Sequence, residues 1–193
     1  MLRRLYDWTM GLAAHRHALI ALGAVSFAES SFFPIPPDIL IIPMVLAARD
    51  QAWKIALIAT VTSVAGGLAG YAIGAFLFDS IGLSILGFYG KVDAYAGFQT
   101  LYNEWGVWIV AAAGFTPIPY KVFTIASGAL ALDPVVFTVA SALSRGARFL
   151  ILVALLWHFG PPIRNFIERY LPILATLFFV LMFAGFIAIR YLL

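Results

Sequence analysis

The chain has 193 residues, 63% of them hydrophobic and 11% charged, with a mean hydropathy of +0.99. A soluble domain carries about 25% charged residues, so this composition excludes an ordinary soluble fold and leaves one compact membrane bundle with no room for a second domain. The net charge of +3 sits on basic residues dispersed along apolar segments, which argues against a nucleic-acid partner, and the lack of cysteine excludes disulfides and thiolate metal sites.

Residues 1–17 place Leu5, Trp8 and Leu12 at helical spacing among Arg3, Arg4, Asp7 and Arg16, which predicts a short interfacial helix. The basic start followed by an apolar run superficially resembles a signal peptide. No small-residue cleavage site follows, so the segment is expected to be retained. Ala18–Ala28 then offers only eleven apolar residues before Glu29. At about 1.5 Å per residue this covers about half of a ~30 Å hydrocarbon core. The word Phe33-Pro34-Ile35-Pro36-Pro37-Asp38 interrupts the chain, and Ile39–Ala48 supplies a second half-length. Ile55–Phe78 is a full span. Residues 79–105 carry Asp79, Lys91, Asp93 and Glu104, with Tyr95, Phe98, Tyr102 and Trp105 on one helical face, so an interfacial helix is expected at 91–105. Gly106–Phe115 and Val122–Leu132 repeat the half-length pattern around Thr116-Pro117-Ile118-Pro119-Tyr120-Lys121. Pro134–Phe159 is a second full span, and Leu171–Ile189 a third.

Positive charge chooses between turning back and crossing. If both broken segments turn back, Arg3, Arg4, Arg16, Arg49, Lys54, Arg164 and Arg169 lie inside and Lys91 and Arg190 outside, seven against two. Full crossings reduce the bias to six against three. The positive-inside rule therefore favours the first arrangement, with a cytoplasmic N-terminus. The expected fold is an all-α integral membrane protein: an inverted repeat of two re-entrant helical hairpins (18–48 and 106–132) with three full transmembrane helices (55–78, 134–159 and 171–193). Paired proline-interrupted segments in the two halves of a membrane chain point to a transport site near the midplane, because irregular backbone at that depth is tolerated only when buried or lining a wet cavity.

Aligning Pro34 with Pro117 and Pro36 with Pro119 sets Asp38 opposite Lys121. Each word, with Pro37 completing the first, should open a half-helix whose free amides face mid-membrane. Asp38 in a first helical turn has a plain explanation, since acids suit that end of the dipole. Lys121 does not, and calls for an anion: either a phosphate held with the free amides and framed by Pro117, Pro119 and Tyr120, or a salt bridge to Asp38 or Glu29. Arg145 and Arg148 lie near the middle of their span, at a cost of roughly 2.5–3.5 kcal/mol each on insertion scales. With Ser141 and Ser144 they share a stripe about 100° wide. They face a cavity, pair internally with Glu29 or Asp38, or snorkel towards the interface. Glu29 at mid-depth either loads a proton or neutralises an arginine. Gly66, Gly67, Gly70 and Gly74, beside Thr60 and Ser63, have the spacing of a close-packing face and are expected to seat the neighbouring half-helices. His15, His17 and His158 show no metal-ligand spacing. No metal, cofactor or catalytic residue is expected.

The glutamate before a proline-rich word, the glycine-rich span and the stretch Phe115-Thr-Pro-Ile-Pro-Tyr-Lys-Val-Phe-Thr-Ile125 followed by an arginine-bearing span resemble the DedA family, the VTT-domain group, in its short bacterial YqaA-like branch. The resemblance covers roughly residues 20–170. It implies a flippase or scramblase of the bacterial inner membrane for an anionic lipid, undecaprenyl phosphate among the candidates, often driven by proton motive force. It also implies that Glu29 and Asp38 are the family's embedded acids and that Arg145 and Arg148 form its later basic stretch. This chain departs from the common pattern Arg-Phe-x-Pro-Gly-x-Arg: Gly114 stands at the first arginine and Tyr120 at the second, with a cation displaced to Lys121. A coupled carrier of a small soluble solute, an enzyme acting on a lipid phosphate and a non-transport membrane-homeostasis protein are the competing classes. A homo-oligomer is left open.

Overall fold

The computed structural model describes residues 17–33, 35–78, 80, 88, 92–116, 119–160 and 162. The expected interfacial helix before His17, Pro34, Pro117 and the expected span 171–193 lie outside them. Among the described residues every regular element is helical: α1 (Ala18–Ser31), α2 (Asp38–Ala47), a 3-10 turn (Arg49–Gln51), α3 (Ala52–Leu77), α4 (Val92–Phe115), α5 (Tyr120–Ala129) and α6 (Pro134–Gly160). The stretches Arg49–Leu77 and Pro134–Gly160 are long and apolar enough to cross a membrane.

Local chemistry sets the boundaries. α1 runs past Glu29 to Ser31, where the proline word ends it. Pro37 is the N-cap residue of α2 and Asp38 its first residue. Inside α2, Pro43 has no amide to donate, leaving the Ile39 carbonyl without its usual helical partner. Asp133 caps α6 through Oδ1, which accepts from the amides of Val135 (2.8 Å) and Val136 (2.9 Å), and Pro134 fills the first helical position. α5 ends in a Schellman turn: the Leu132 amide donates to the Ser127 carbonyl and the Ala131 amide to the Gly128 carbonyl, which puts Ala131 at a φ of 51°.

One boundary differs from the sequence reading. The expected interfacial helix 91–105 and the half-helix from Gly106 are a single helix, α4, of 24 residues. Gly106 does not break it. A side chain there would collide with Leu132, so the glycine serves close packing while the helix continues through it.

The order of contacts fixes the helix directions. Along α1, Gly23 meets Ile58 and Thr62, Ser26 Oγ donates to the Ala59 carbonyl, and Phe27 and Ser31 meet Gly66. Both series ascend, so α1 and α3 run in the same direction. α2 must therefore run back from the end of α1 to the start of α3. The second half repeats this. Gly106 meets Leu132, Gly114 meets Ser144, and the Thr116 carbonyl meets Arg148, so α4 and α6 run together. α5 opposes α4, with the Tyr95 hydroxyl on the Ala129 carbonyl (2.7 Å) and the Tyr102 hydroxyl on Ser127 Oγ (3.0 Å). α3 and α6 oppose each other, from Trp53 beside Trp157 to Gly67 beside Phe137.

Glycines allow these approaches. A Cβ at Gly66 would strike the Phe27 carbonyl, one at Gly74 the Ile125 carbonyl, and one at Gly128 the Tyr71 carbonyl; Gly67 touches the Tyr120 ring and Gly70 the Thr124 side chain. Two apolar cores result. One gathers Leu22, Ile41, Val45, Ile55, Phe149 and Val153, and the other Tyr102, Val110, Tyr120, Leu132 and Phe137. Large apolar side chains such as Leu57, Val61, Phe76, Val139 and Leu143 point outward. That is the pattern of helices solvated by lipid.

Candidate functional site

Between the two cores lies a polar layer in which Ser26, Ser30, Ser31, Ser63, Thr124, Ser127, Ser141, Ser144 and Arg145 are all buried. It is built where the ends of α1 and α4 meet the starts of α2 and α5, against the middle of α3 and α6. Two ion pairs form its charged part.

The first joins Arg145 of α6 to Glu29 of α1, with Nη2 to Oε2 at 2.8 Å and side chains 3% and 15% exposed. Arg145 Nε donates to Ser63 Oγ of α3 at 2.7 Å. Ser63 and Ser30 share a hydrogen bond of 2.7 Å, and Ser30 Oγ donates back to Glu29 Oε2 at 3.2 Å. Glutamate, two serines and arginine thus close a ring. The guanidinium carbon also lies 4.9 Å from the centroid of the Tyr120 ring and 4.7 Å from that of Phe149, within cation–π range. The Tyr120 hydroxyl donates to Ser141 Oγ.

The second joins Arg148 of α6 to Asp38 at the start of α2, with Nη2 to Oδ2 at 2.5 Å and side chains 23% and 22% exposed. Arg148 Nη1 donates to the Thr116 carbonyl, just past α4, at 3.0 Å. Asp38 Oδ1 is buried and has no hydrogen-bond partner among the described residues. Asp38 makes no capping bond to its own helix. It spends its one satisfied oxygen on the arginine instead.

The structure thus brings together Glu29, Asp38, Tyr120, Arg145 and Arg148, and joins residues 116 and 110 positions apart in the chain. Neither arginine snorkels. Lys121 stands apart: it is half-buried in the first turn of α5 and forms no ion pair among the described residues. Pro119 is the N-cap residue of α5, and Pro36 accepts the Ile39 amide through its carbonyl. Thr124 Oγ1 donates to the Ser30 carbonyl at 3.1 Å and so links the two broken segments directly. The sequence reading missed Ser30 and the pairing of Ser63 with Arg145. For Ser63 the available signal was a hydroxyl on the glycine-bearing face of α3; Ser30, on α1, carried no such signal.

Gly114 and Tyr120 explain the departure from the arginine pattern. A Cβ at Gly114 would strike Ser144 Oγ and come within 3.6 Å of Arg145 Cδ, so the side chain of an arginine would need the space these residues occupy. Tyr120 is fully buried and presents its ring, not a second cation, to Arg145.

A family model for the VTT domain matches residues 35–158. The chain belongs to the VTT-domain, or DedA, family. In this VTT-domain protein the match takes in the first proline word from Ile35, the whole of the second, the span Arg49–Leu77 and the later span as far as residue 158, and family membership makes the chain a membrane-associated protein. A protein of Haemophilus influenzae is 41% identical over 151 residues, covering 78% of each chain, and one of Histophilus somni matches to the same extent; both are described only as uncharacterized. No solved structure matches the chain.

Proposed function

We propose that this protein carries the headgroup of an anionic lipid across the bacterial inner membrane, as a flippase or scramblase. α1–α2 and α4–α5 are two re-entrant hairpins entering from opposite sides, each followed by a full span, with the N-terminus cytoplasmic. The directions of the helices support this: in each half the first helix and the long span run together with a short helix returning between them. The observation that carries the functional reading is the pair of arginine–carboxylate bridges lying at the two chain breaks, inside a bundle whose outer face is apolar.

Charges at such depth are costly and mark pathways. The bridged state has each cation neutralised by its own carboxylate. A guest anion competes with a carboxylate for an arginine, and Asp38, the more exposed of the two acids, is the one that gives way. Lys121 adds a cation that no described carboxylate neutralises. The lipid chains stay in the bilayer beside the broken helices, and no covalent step is required. Undecaprenyl phosphate and common phospholipids both offer the required phosphate.

Purified protein in phosphatidylcholine vesicles doped with fluorescent phosphatidylglycerol tests this. Leaflet exchange is expected with the native chain and is lost in Lys121→Ala and in Arg148→Ala, both still folded. Normal exchange in both variants removes the assigned site.

A further inference from the structure

The two ion pairs are not equivalent. Arg145 has its charge and its Nε satisfied inside the protein: Glu29, Ser63 and two aromatic rings surround a group that is 3% exposed. Its ring of hydrogen bonds draws on α1, α3 and α6, and Tyr120 adds α5. A guest reaching Arg145 would have to open that ring, strip Ser63 and leave Glu29 buried without its counter-charge.

Arg148 is differently placed. Its side chain is 23% exposed and one nitrogen donates to the Thr116 carbonyl, an anchor for the guanidinium separate from Asp38. Asp38, like Glu29, grips its arginine through a single oxygen, but no serine reinforces that oxygen, and Asp38 Oδ1 has no hydrogen-bond partner among the described residues. Asp38 also begins α2, where the helix dipole stabilises its charge after the arginine has gone. The carboxylate is an occupant that can leave.

We infer that Arg145–Glu29 is a fixed tie holding the two halves together, whereas Arg148 is the anion subsite and Asp38 is the resident competitor that the ligand phosphate displaces. This deepens the lipid-carrier reading and rests on it. Arg145 is accordingly a positioning residue, acting through the bundle and through Tyr120 rather than on the ligand.

The test reads binding rather than transport. Thermal unfolding of the detergent-solubilised full chain is followed against rising dihexanoyl phosphatidic acid, with inorganic phosphate as a parallel probe. Asp38→Asn removes the competitor's charge and is expected to lower the half-saturating concentration at least about fivefold, a gain that a merely structural role for Asp38 does not give. Arg148→Gln raises it at least about tenfold. The paired exchange Glu29→Gln with Arg145→Gln leaves it within about twofold, because the tie is replaced by neutral hydrogen-bonding groups. Unchanged or weaker binding in Asp38→Asn, or lost binding in a folded Glu29→Gln/Arg145→Gln protein, overturns the division of roles. No response of the native chain to either probe overturns the anion-carrier reading itself. A response to inorganic phosphate as strong as to the lipid keeps the subsite and overturns its assignment to a lipid headgroup.

Discussion

Replacing Glu29 by glutamine removes one charge and almost no volume, so its effect isolates the electrostatics of the buried pair. In the native chain Arg145 is 3% exposed and meets one carboxylate at 2.8 Å. With glutamine there, the amide oxygen can still accept from Nη2, but the guanidinium loses its counter-charge and is left with neutral partners, the Ser63 hydroxyl and the Tyr120 and Phe149 rings. Breaking one side of a buried pair costs about 3–5 kcal/mol, and each desolvated cation–π contact is worth up to ~2 kcal/mol. The rings act in the native chain and in the variant alike, so they do not offset the difference, and the expected cost is about 3 kcal/mol, the lower end of that range, because the amide still accepts a hydrogen bond. Arg145→Gln alone strands Glu29 and costs a similar amount. The double exchange removes both charges and should cost much less than the sum, giving a coupling of about 2–3 kcal/mol. Reversible unfolding in mixed micelles, followed by tryptophan fluorescence across the four proteins of the cycle, measures this. Additive losses, or a Glu29→Gln cost below about 1 kcal/mol, refute the argument that the pair is buried and mutually dependent.

Four further outcomes follow from packing and backbone geometry. Gly74→Ala places a methyl against the Ile125 backbone carbonyl and should destabilise by about 1–3 kcal/mol in the same unfolding assay. Gly97→Ala, mid-helix with nothing within 4 Å, should instead stabilise by up to ~1 kcal/mol. Asp133→Ala strips the cap from α6 and should cost about 1 kcal/mol, with Asp133→Asn restoring most of it. Ala131→Gly relieves the left-handed backbone after α5 and should raise stability by about 0.5 kcal/mol, read as a higher thermal midpoint in detergent.

The charged residues of the site were legible because ions are conspicuous in apolar sequence. Glu29, Asp38, Arg145 and Arg148 each stand out against segments that otherwise suit lipid. Their pairing was not. Which carboxylate meets which arginine depends on the register of helices more than a hundred residues apart, and the sequence reading left internal pairing and cavity-facing as alternatives for that reason. Lys121 shows the converse. Its place at a helix start is as unusual as the spacing suggested, yet α5 seats Tyr120, not Lys121, against Arg145. Tyr120 belonged to a recognised word, but that its ring lies against Arg145 follows only from how tightly Gly67 lets α5 approach α3. The continuity of α4 was hidden too. Aromatic and charged residues at 95–105 carry the composition of an interface, and composition does not report that helical hydrogen bonding runs unbroken through Trp105 and Gly106. The short helices α1, α2 and α5 beside the prolines were readable because proline acts locally, through its missing donor and fixed φ.

The arrangement of two opposed hairpins is tested most directly by sidedness, and the lack of cysteine makes the chain a ready background for it. His17, Gln51 and Asp133 are all exposed, at the start of α1, just before α3 and just before α6. Single cysteines at these positions are labelled with a membrane-impermeant maleimide in spheroplasts and in inverted vesicles. The account predicts that His17→Cys and Gln51→Cys react from the same side and Asp133→Cys from the other. Labelling of His17→Cys and Gln51→Cys from opposite sides would mean that the first broken segment crosses the membrane, and would contradict it.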